Sequence, residues 1–142
     1  MNDEDFITSF EDCTLPNSAF HHRDHVRLAW LYLHQAPLLA ALTRFTAGLK
    51  RFAQANGADG LYHETITWAY FFLVHQRIAT APEAGETWEE FVARNPDLMT
   101  WKPSVLAGYY REETLTSELA RRVFLMPDLI PDLIPDRQPR SA

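Results

Sequence analysis

Apolar residues recur every three or four positions along most of this chain, which is the spacing of an amphipathic α-helix. The pattern predicts a short first helix that Asp3 caps and that runs to about Cys13, a second over 22–34 and a longer third over 37–55. Pro37 stands where a helix can begin, and Gly57 stands just beyond its expected end. The third segment carries the most regular apolar face, made of Leu38, Leu42, Phe45, Leu49 and Phe52.

The segment 61–79 is the most apolar long stretch, and it lacks the alternation of a β-strand. It predicts a central helix that is buried around most of its circumference. Three shorter helices are expected after it: one that begins with a capping box of Thr87 and Glu90, one from Lys102 toward Tyr110, and one that Thr116 or Ser117 caps and that ends near Phe124. Together these elements predict an all-α fold, a single small helical bundle with four longer helices and several short ones.

The C-terminal segment duplicates a four-residue unit, Pro-Asp-Leu-Ile, between 127 and 136. A proline at every fourth position prevents a helix and favours an extended chain. The sequence therefore predicts a helical domain over 1–126 and an irregular, proline-rich strap over 127–142. We expect the apolar residues of this strap to fill grooves on this chain or on a second copy in a homodimer; they are Leu129, Ile130, Leu133 and Ile134.

Composition narrows the class of protein. The 142 residues suit one domain, and 46% of them are hydrophobic, which is enough for a core. The net charge of -6 disfavours non-specific nucleic-acid binding, which needs a basic surface. The longest apolar run, 68–74, is far shorter than the roughly 20 residues that span a bilayer. The acidic start lacks the basic and then apolar pattern of a secretory signal. Because Cys13 is the single cysteine, a reducing compartment, the cytoplasm, is expected.

A cluster of histidines is the strongest candidate for chemistry. His22 and His25 are three positions apart, so a helix would present both on one face. They lie in the first turn of the predicted helix, where the helix dipole favours the neutral imidazole that binds metals. His63 opens the central helix, so two helix starts can converge at one end of the bundle. We therefore predict that His22, His25 and His63 hold one divalent metal, Zn, Fe or Ni, with an open position for water or substrate.

Glu64 is the candidate catalytic residue beside this site. It is a carboxylate at the start of an apolar helix, so burial could raise its pKa and make it a general base. The alternative is a structural salt bridge to Arg23 or Arg27. Aromatic residues such as Trp68 could wall a pocket for a small apolar or aromatic substrate.

Two functional hypotheses follow from these residues. In the first, the protein is a small metal-dependent enzyme that acts on a small molecule through the three-histidine site. In the second, it is a metal-free binding or interaction module whose histidines cap helices and form hydrogen bonds in the core. Several other classes lack their motifs: the chain has no His-Glu-x-x-His, no Glu-x-x-His and no glycine-rich phosphate loop.

Two motifs carry a resemblance to a known family. The runs Phe-x-His-x-x-His-Val at 20–26 and Tyr-His-x-Thr at 62–65 resemble motifs of an uncharacterised family of small bacterial proteins. The resemblance extends over about 20–128. It implies that His22, His25 and His63 are the motif positions and that His21 is variable. It implies no particular reaction.

Overall fold

The computed structural model of the protein describes residues 1–129, and all regular secondary structure in that range is helical. This confirms the all-α prediction. Four short 3-10 turns accompany the α-helices, at Asn17–Ala19, Asp59–Leu61, Pro96–Leu98 and Val105–Gly108. The α-helices are α1 (Asp3–Glu11), α2 (His22–Gln35), α3 (Leu38–Ala55), α4 (Glu64–Ala79), α5 (Trp88–Arg94), α6 (Glu112–Leu115) and α7 (Glu118–Arg122).

The core lies where α2, α3 and α4 pack against one another. The apolar face predicted for α3 packs against this core. Helix α1 crosses α3 at Gly48, where a Cβ atom would lie 2.7 Å from the ring of Phe10. The absence of a side chain at this position therefore allows the two helices to approach closely.

Helix α1 begins differently from the prediction. The side chain of Asn2, rather than that of Asp3, caps it by accepting a hydrogen bond of 2.8 Å from the N–H of Asp5. Asp3 instead forms an ion pair with Arg27 of α2. The capping box predicted for α5 is present, since Thr87 accepts a hydrogen bond from the N–H of Glu90.

Two other helix predictions needed correction. Helix α4 begins at Glu64 rather than at 61, because the preceding residues form a separate 3-10 turn and the side chain of His63 caps the helix. The helix expected from Lys102 toward Tyr110 is replaced by turns and the 3-10 turn Val105–Gly108. The hydroxyl of Ser104 accepts a hydrogen bond from the N–H of Leu106 and so caps the start of this 3-10 turn.

The chain leaves the helical conformation after Arg122, slightly earlier than predicted. The segment 123–129 runs along α4, and Thr65 of α4 forms two hydrogen bonds with its backbone: its hydroxyl donates to the carbonyl of Val123 at 2.8 Å and accepts the N–H of Leu125 at 3.0 Å. The ring of Phe124 stacks on Trp68, with centroids 5.4 Å apart. This segment therefore attaches the C-terminal part of the described chain to the core.

The first residues of the predicted strap are also attached. The side chain of Asp128 accepts hydrogen bonds from the N–H of Arg111 and the hydroxyl of Thr114. The N–H of Leu129 donates to the carbonyl of Tyr109 at 2.9 Å. The expected contacts of Ile130, Leu133 and Ile134 lie outside the described residues, and the division at 126/127 stays a prediction.

Candidate ligand-binding cavity

A cavity of about 580 Å³ opens among α2, α3 and α4. This volume lies within the range of about 300–1,000 Å³ that is typical of small-molecule sites. Most of its wall is apolar and aromatic, as such sites require. The apolar lining residues include Phe20, Val26, Phe45, Leu49, Phe52 and Phe71.

The three histidines singled out from the sequence all line this cavity. His22 and His25 come from the first turn of α2, and His63 comes from the residue that caps α4. The two helix starts therefore converge at one end of the bundle. Their hydrogen bonds, however, give the three rings different roles.

Both ring nitrogens of His63 take part in hydrogen bonds. Nδ1 accepts the N–H of Ile66 at 3.1 Å, which is the N-cap interaction of α4. Nε2 therefore carries the hydrogen and donates a hydrogen bond of 2.7 Å to the carbonyl of Leu115. In this arrangement, His63 has no free lone pair for a metal ion.

His22 and His25 each use only one ring nitrogen. Nε2 of His22 donates to the carbonyl of Leu98 at 2.9 Å, and Nδ1 of His25 donates to the carbonyl of His21 at 2.8 Å. Because a carbonyl can only accept, these contacts fix the tautomer of each neutral ring. They leave the lone pairs of His22 Nδ1 and His25 Nε2 available to a ligand.

The surroundings keep both imidazoles neutral. Burial lowers the pKa of His22 below its ordinary value of 6.5, and the hydrogen bond to Leu98 opposes this only in part. Burial likewise lowers the pKa of His25, whose ring stacks on Phe20 with centroids 4.0 Å apart. The neutral form of histidine can accept a hydrogen bond or a proton.

The predicted three-histidine metal site stays a prediction. Within residues 1–129, no three His, Cys, Asp or Glu side chains are grouped closely enough to hold a metal ion. Recruiting His63 as a ligand would require its ring to give up at least one of the two hydrogen bonds described above. The structure thus brings the three residues to one cavity and leaves two of them with a free lone pair.

Glu64, the predicted general base, lies beside the cavity and is not among the residues that line it. Its Oε1 accepts hydrogen bonds from the hydroxyl of Tyr62 at 2.6 Å and from Nε1 of Trp68 at 2.9 Å. The alternative salt bridge is not formed within residues 1–129: Glu64 pairs with neither Arg23 nor Arg27, and Arg27 pairs with Asp3. The general-base role of Glu64 stays a prediction, and the contacts observed are those of a residue that orders the start of α4.

Three lining residues were missed from the sequence: Tyr70, Trp101 and Arg121. The ring of His22 packs edge-on against Tyr70 at 4.9 Å and lies 5.5 Å from Trp101. Tyr70 follows His63 by seven residues, which is two helical turns, so its position on the same face could have been found. Trp101 and Arg121 reach the cavity from distant segments, and no local pattern marks them.

Apolar side chains also surround the mouth of the cavity. Leu61 is 77% exposed and Trp101 is 45% exposed, although both line the cavity. Exposed large apolar residues beside a pocket often mark a ligand-binding surface. An apolar ligand could therefore contact both the interior and the rim.

No family model, curated protein or solved structure matches this chain. Among the helices of residues 1–129, none combines the length and the apolar character that crossing a membrane requires.

Proposed function

We propose that this protein binds a small, largely apolar organic molecule in the cavity and that His22 and His25 accept a hydrogen bond or a proton from it. The observation that carries the proposal is the pair of neutral imidazoles, each with one free lone pair, in the wall of a 580 Å³ apolar cavity. A pocket of this kind derives affinity from its apolar walls and orientation from a few polar groups.

The hydrogen bonds of the two histidines support a recognition role. Each ring is held by a backbone carbonyl, so its orientation is set before a ligand arrives. A ligand hydroxyl or N–H placed against His25 Nε2 would complete the hydrogen bonding of that ring. If the ligand carries an acidic proton at that point, the same nitrogen can take it, which is the role of a general base.

Two matched probes test the hydrogen-bonding part of this proposal. Indole carries an N–H that an imidazole can accept, whereas 1-methylindole has nearly the same shape without that donor. We expect the protein to bind indole more tightly, by about fivefold to tenfold for one hydrogen bond. His25→Phe keeps a ring against Phe20 and should reduce this preference, because only His22 then remains to accept the N–H. Equal affinity of the native protein for the two probes would contradict the role given to the imidazoles.

Filling the cavity tests its location. Ala53 lines the cavity, whereas Ala55, two residues further along α3, is exposed to solvent. Ala53→Phe should therefore weaken indole binding at least tenfold, and Ala55→Phe should leave it unchanged. Isothermal titration gives the affinities, and circular dichroism confirms that both variants keep their helices. Unchanged binding by a folded Ala53→Phe variant would place the ligand elsewhere.

A metal-dependent enzyme is the second candidate function, and one observation favours it: the three predicted ligands line the same cavity. The test is elemental analysis after dialysis of the protein against Zn, Fe(II) or Ni. One tightly held ion per chain, lost in the folded His22→Ala/His25→Ala variant, would support it. Retention of the ion by that variant would place the metal elsewhere, and the metal-free binding proposal would stand.

The proposed partner is thus a small molecule rather than nucleic acid or a membrane, in keeping with the net charge of -6. The proposed setting is the cytoplasm, where the thiol of Cys13 would stay reduced.

A further inference from the structure

The charge of the cavity wall is opposite in sign to that of the chain. The sequence has nineteen acidic residues against thirteen basic ones, yet no Asp or Glu is found among the described residues that line the cavity. The same lining contains one arginine, Arg121 of α7. The polar part of the described wall thus consists of one cation and several neutral groups.

Among the described residues, Arg121 has no carboxylate partner of the kind that several other arginines have. Arg44 pairs with Glu11 at 2.7 Å and Arg94 pairs with Glu86 at 2.7 Å. Within residues 1–129, no carboxylate lies within ion-pairing distance of Arg121, although it is partly buried beside the cavity. A guanidinium in such a place offers several N–H donors in a planar arrangement that matches a carboxylate.

We infer that the ligand is an organic acid with an apolar body and a single carboxylate, and that Arg121 binds this carboxylate. This inference rests on the proposed function, because it specifies the chemical class of the molecule in the same cavity. The apolar body packs among the aromatic side chains, while the carboxylate accepts hydrogen bonds from the guanidinium.

The balance of charge favours one carboxylate over a phosphate dianion. A single guanidinium neutralises one negative charge. The second negative charge of a dianion would remain uncompensated in a mostly apolar cavity, which is costly. His22 and His25 do not supply the missing positive charge, because both imidazoles are neutral at neutral pH. Their lone pairs would repel an anion, so they suit a donor group elsewhere on the ligand.

The experiment compares 2-naphthoate with 2-naphthamide, which share an apolar body and differ in charge. Isothermal titration on the full chain at pH 7.5 measures both affinities. We expect the native protein to bind the carboxylate at least about tenfold more tightly, as for a hydrogen-bonded charge pair. Arg121→Met should remove this difference while leaving the affinity for the amide within about twofold.

Arg122→Met is the matched control. It makes the same change in net charge one residue away on the same helix, where the exposed arginine lies 3.9 Å from Glu118. It should keep the preference for the carboxylate. Arg121→Lys retains the charge without the planar donors, and it should keep part of the preference. If Arg121→Met lowers the melting temperature, the preference of Arg121→Lys for the carboxylate is compared with that of the native protein instead.

The possible results separate this inference from the proposed function. Equal binding of acid and amide by the native protein, blocked by Ala53→Phe, would overturn the carboxylate inference and leave the cavity proposal intact. An equal loss of preference in Arg121→Met and Arg122→Met would show a general charge effect and would also overturn the inference. Failure of naphthoate, naphthamide and indole alike to bind would overturn both.

Discussion

His22 donates a hydrogen bond of 2.9 Å to the main-chain carbonyl of Leu98, a residue 76 positions further along the chain. The contact ties the first turn of α2 to the Pro96–Leu98 turn and determines which nitrogen of the imidazole remains free. The orientation of a cavity-lining ring therefore depends on how firmly a distant turn is held.

That turn is held by Arg77 of α4. The guanidinium donates to Asn95 Oδ1 at 2.8 Å and to both carboxylate oxygens of Asp97, at 3.0 and 2.8 Å. Asn95 is only 1% exposed, and its amide nitrogen also donates to the carbonyl of Phe91. A buried side chain and an ion pair thus hold the turn whose Leu98 carbonyl accepts the hydrogen bond of His22.

We expect Arg77→Met to destabilise the protein more than Asp97→Asn. The arginine variant leaves the buried Asn95 oxygen without its donor, which costs about 1–3 kcal/mol. The aspartate variant weakens a partly exposed ion pair, which contributes about 1 kcal/mol or less. Urea unfolding at pH 7.5 measures both changes. Equal losses of stability would show that Asn95 finds another donor and that the ion pair alone holds the turn.

The free energy of unfolding should fall as the pH falls below 6.5. Burial lowers the pKa of His22 and of His25 in the folded state, so the unfolded chain binds more protons below that pH. The stabilisation is complete above pH 6.5 and is lost as the pH falls toward the lowered folded-state values, by at most about 1.4 kcal/mol per pH unit for each ring. The charge of Asp24 raises the pKa of His25 and that of His21 lowers it, and both effects are smaller than that of burial.

Carboxylates contribute in a separate range. The pKa values of Glu11 and Asp97 are lowered from 4.5 and 3.8, so the stability that they provide is lost only at still lower pH. Urea unfolding between pH 5 and 7.5 therefore isolates the histidines. His25→Phe should reduce the slope of the free energy of unfolding against pH over this range, and the slope that remains should come from His22. A slope that is unchanged in this variant would show that His25 titrates alike in the folded and unfolded chains.

The sequence was informative where local spacing determines structure. The apolar period over 37–55 predicted α3 and its buried face, and the three-residue spacing of His22 and His25 placed both on α2. Their convergence with His63 at one cavity also followed from the positions of two helix starts. The roles of the rings did not follow, because they depend on carbonyls from remote segments. The partner of His63 Nε2, the carbonyl of Leu115, is 52 positions away.

Truncating Phe71 should cost more stability than truncating Phe72. A central helix buried around most of its circumference, as the sequence predicts, would bury Trp68 and Phe72 fully, but both are only half-buried and pack near Phe124. Phe71 is 0% exposed and packs against Phe45, with ring centroids 5.0 Å apart. Phe71→Ala should therefore cost about 3–5 kcal/mol, and Phe72→Ala less than about 3 kcal/mol. Thermal unfolding of the two variants compares them directly; the reverse order would mean that the 123–129 segment contributes more to the core than α3 does.

The C-terminal contacts predict a sharp difference between two truncations. A chain that ends at Ile130 keeps the hydrogen bonds of Asp128 to the 111–114 segment and the Leu129 N–H bond to Tyr109. A chain that ends at Met126 loses all of them, at about 0.5–1.5 kcal/mol for each bond, and it removes Pro127 from the wall of an apolar cleft that Leu73 and Leu106 also line.

We therefore expect the chain ending at Ile130 to melt like the full-length protein and the chain ending at Met126 to melt at a lower temperature and aggregate. Asp128→Ala in the full-length chain separates the two causes, because it removes the side-chain hydrogen bonds and keeps the apolar residues. It should lower the melting temperature without promoting aggregation. If the chain ending at Met126 matches the full-length protein in melting temperature and solubility, residues 127–129 contribute nothing to the fold, and the strap is an appendage to a bundle that is already complete at Met126.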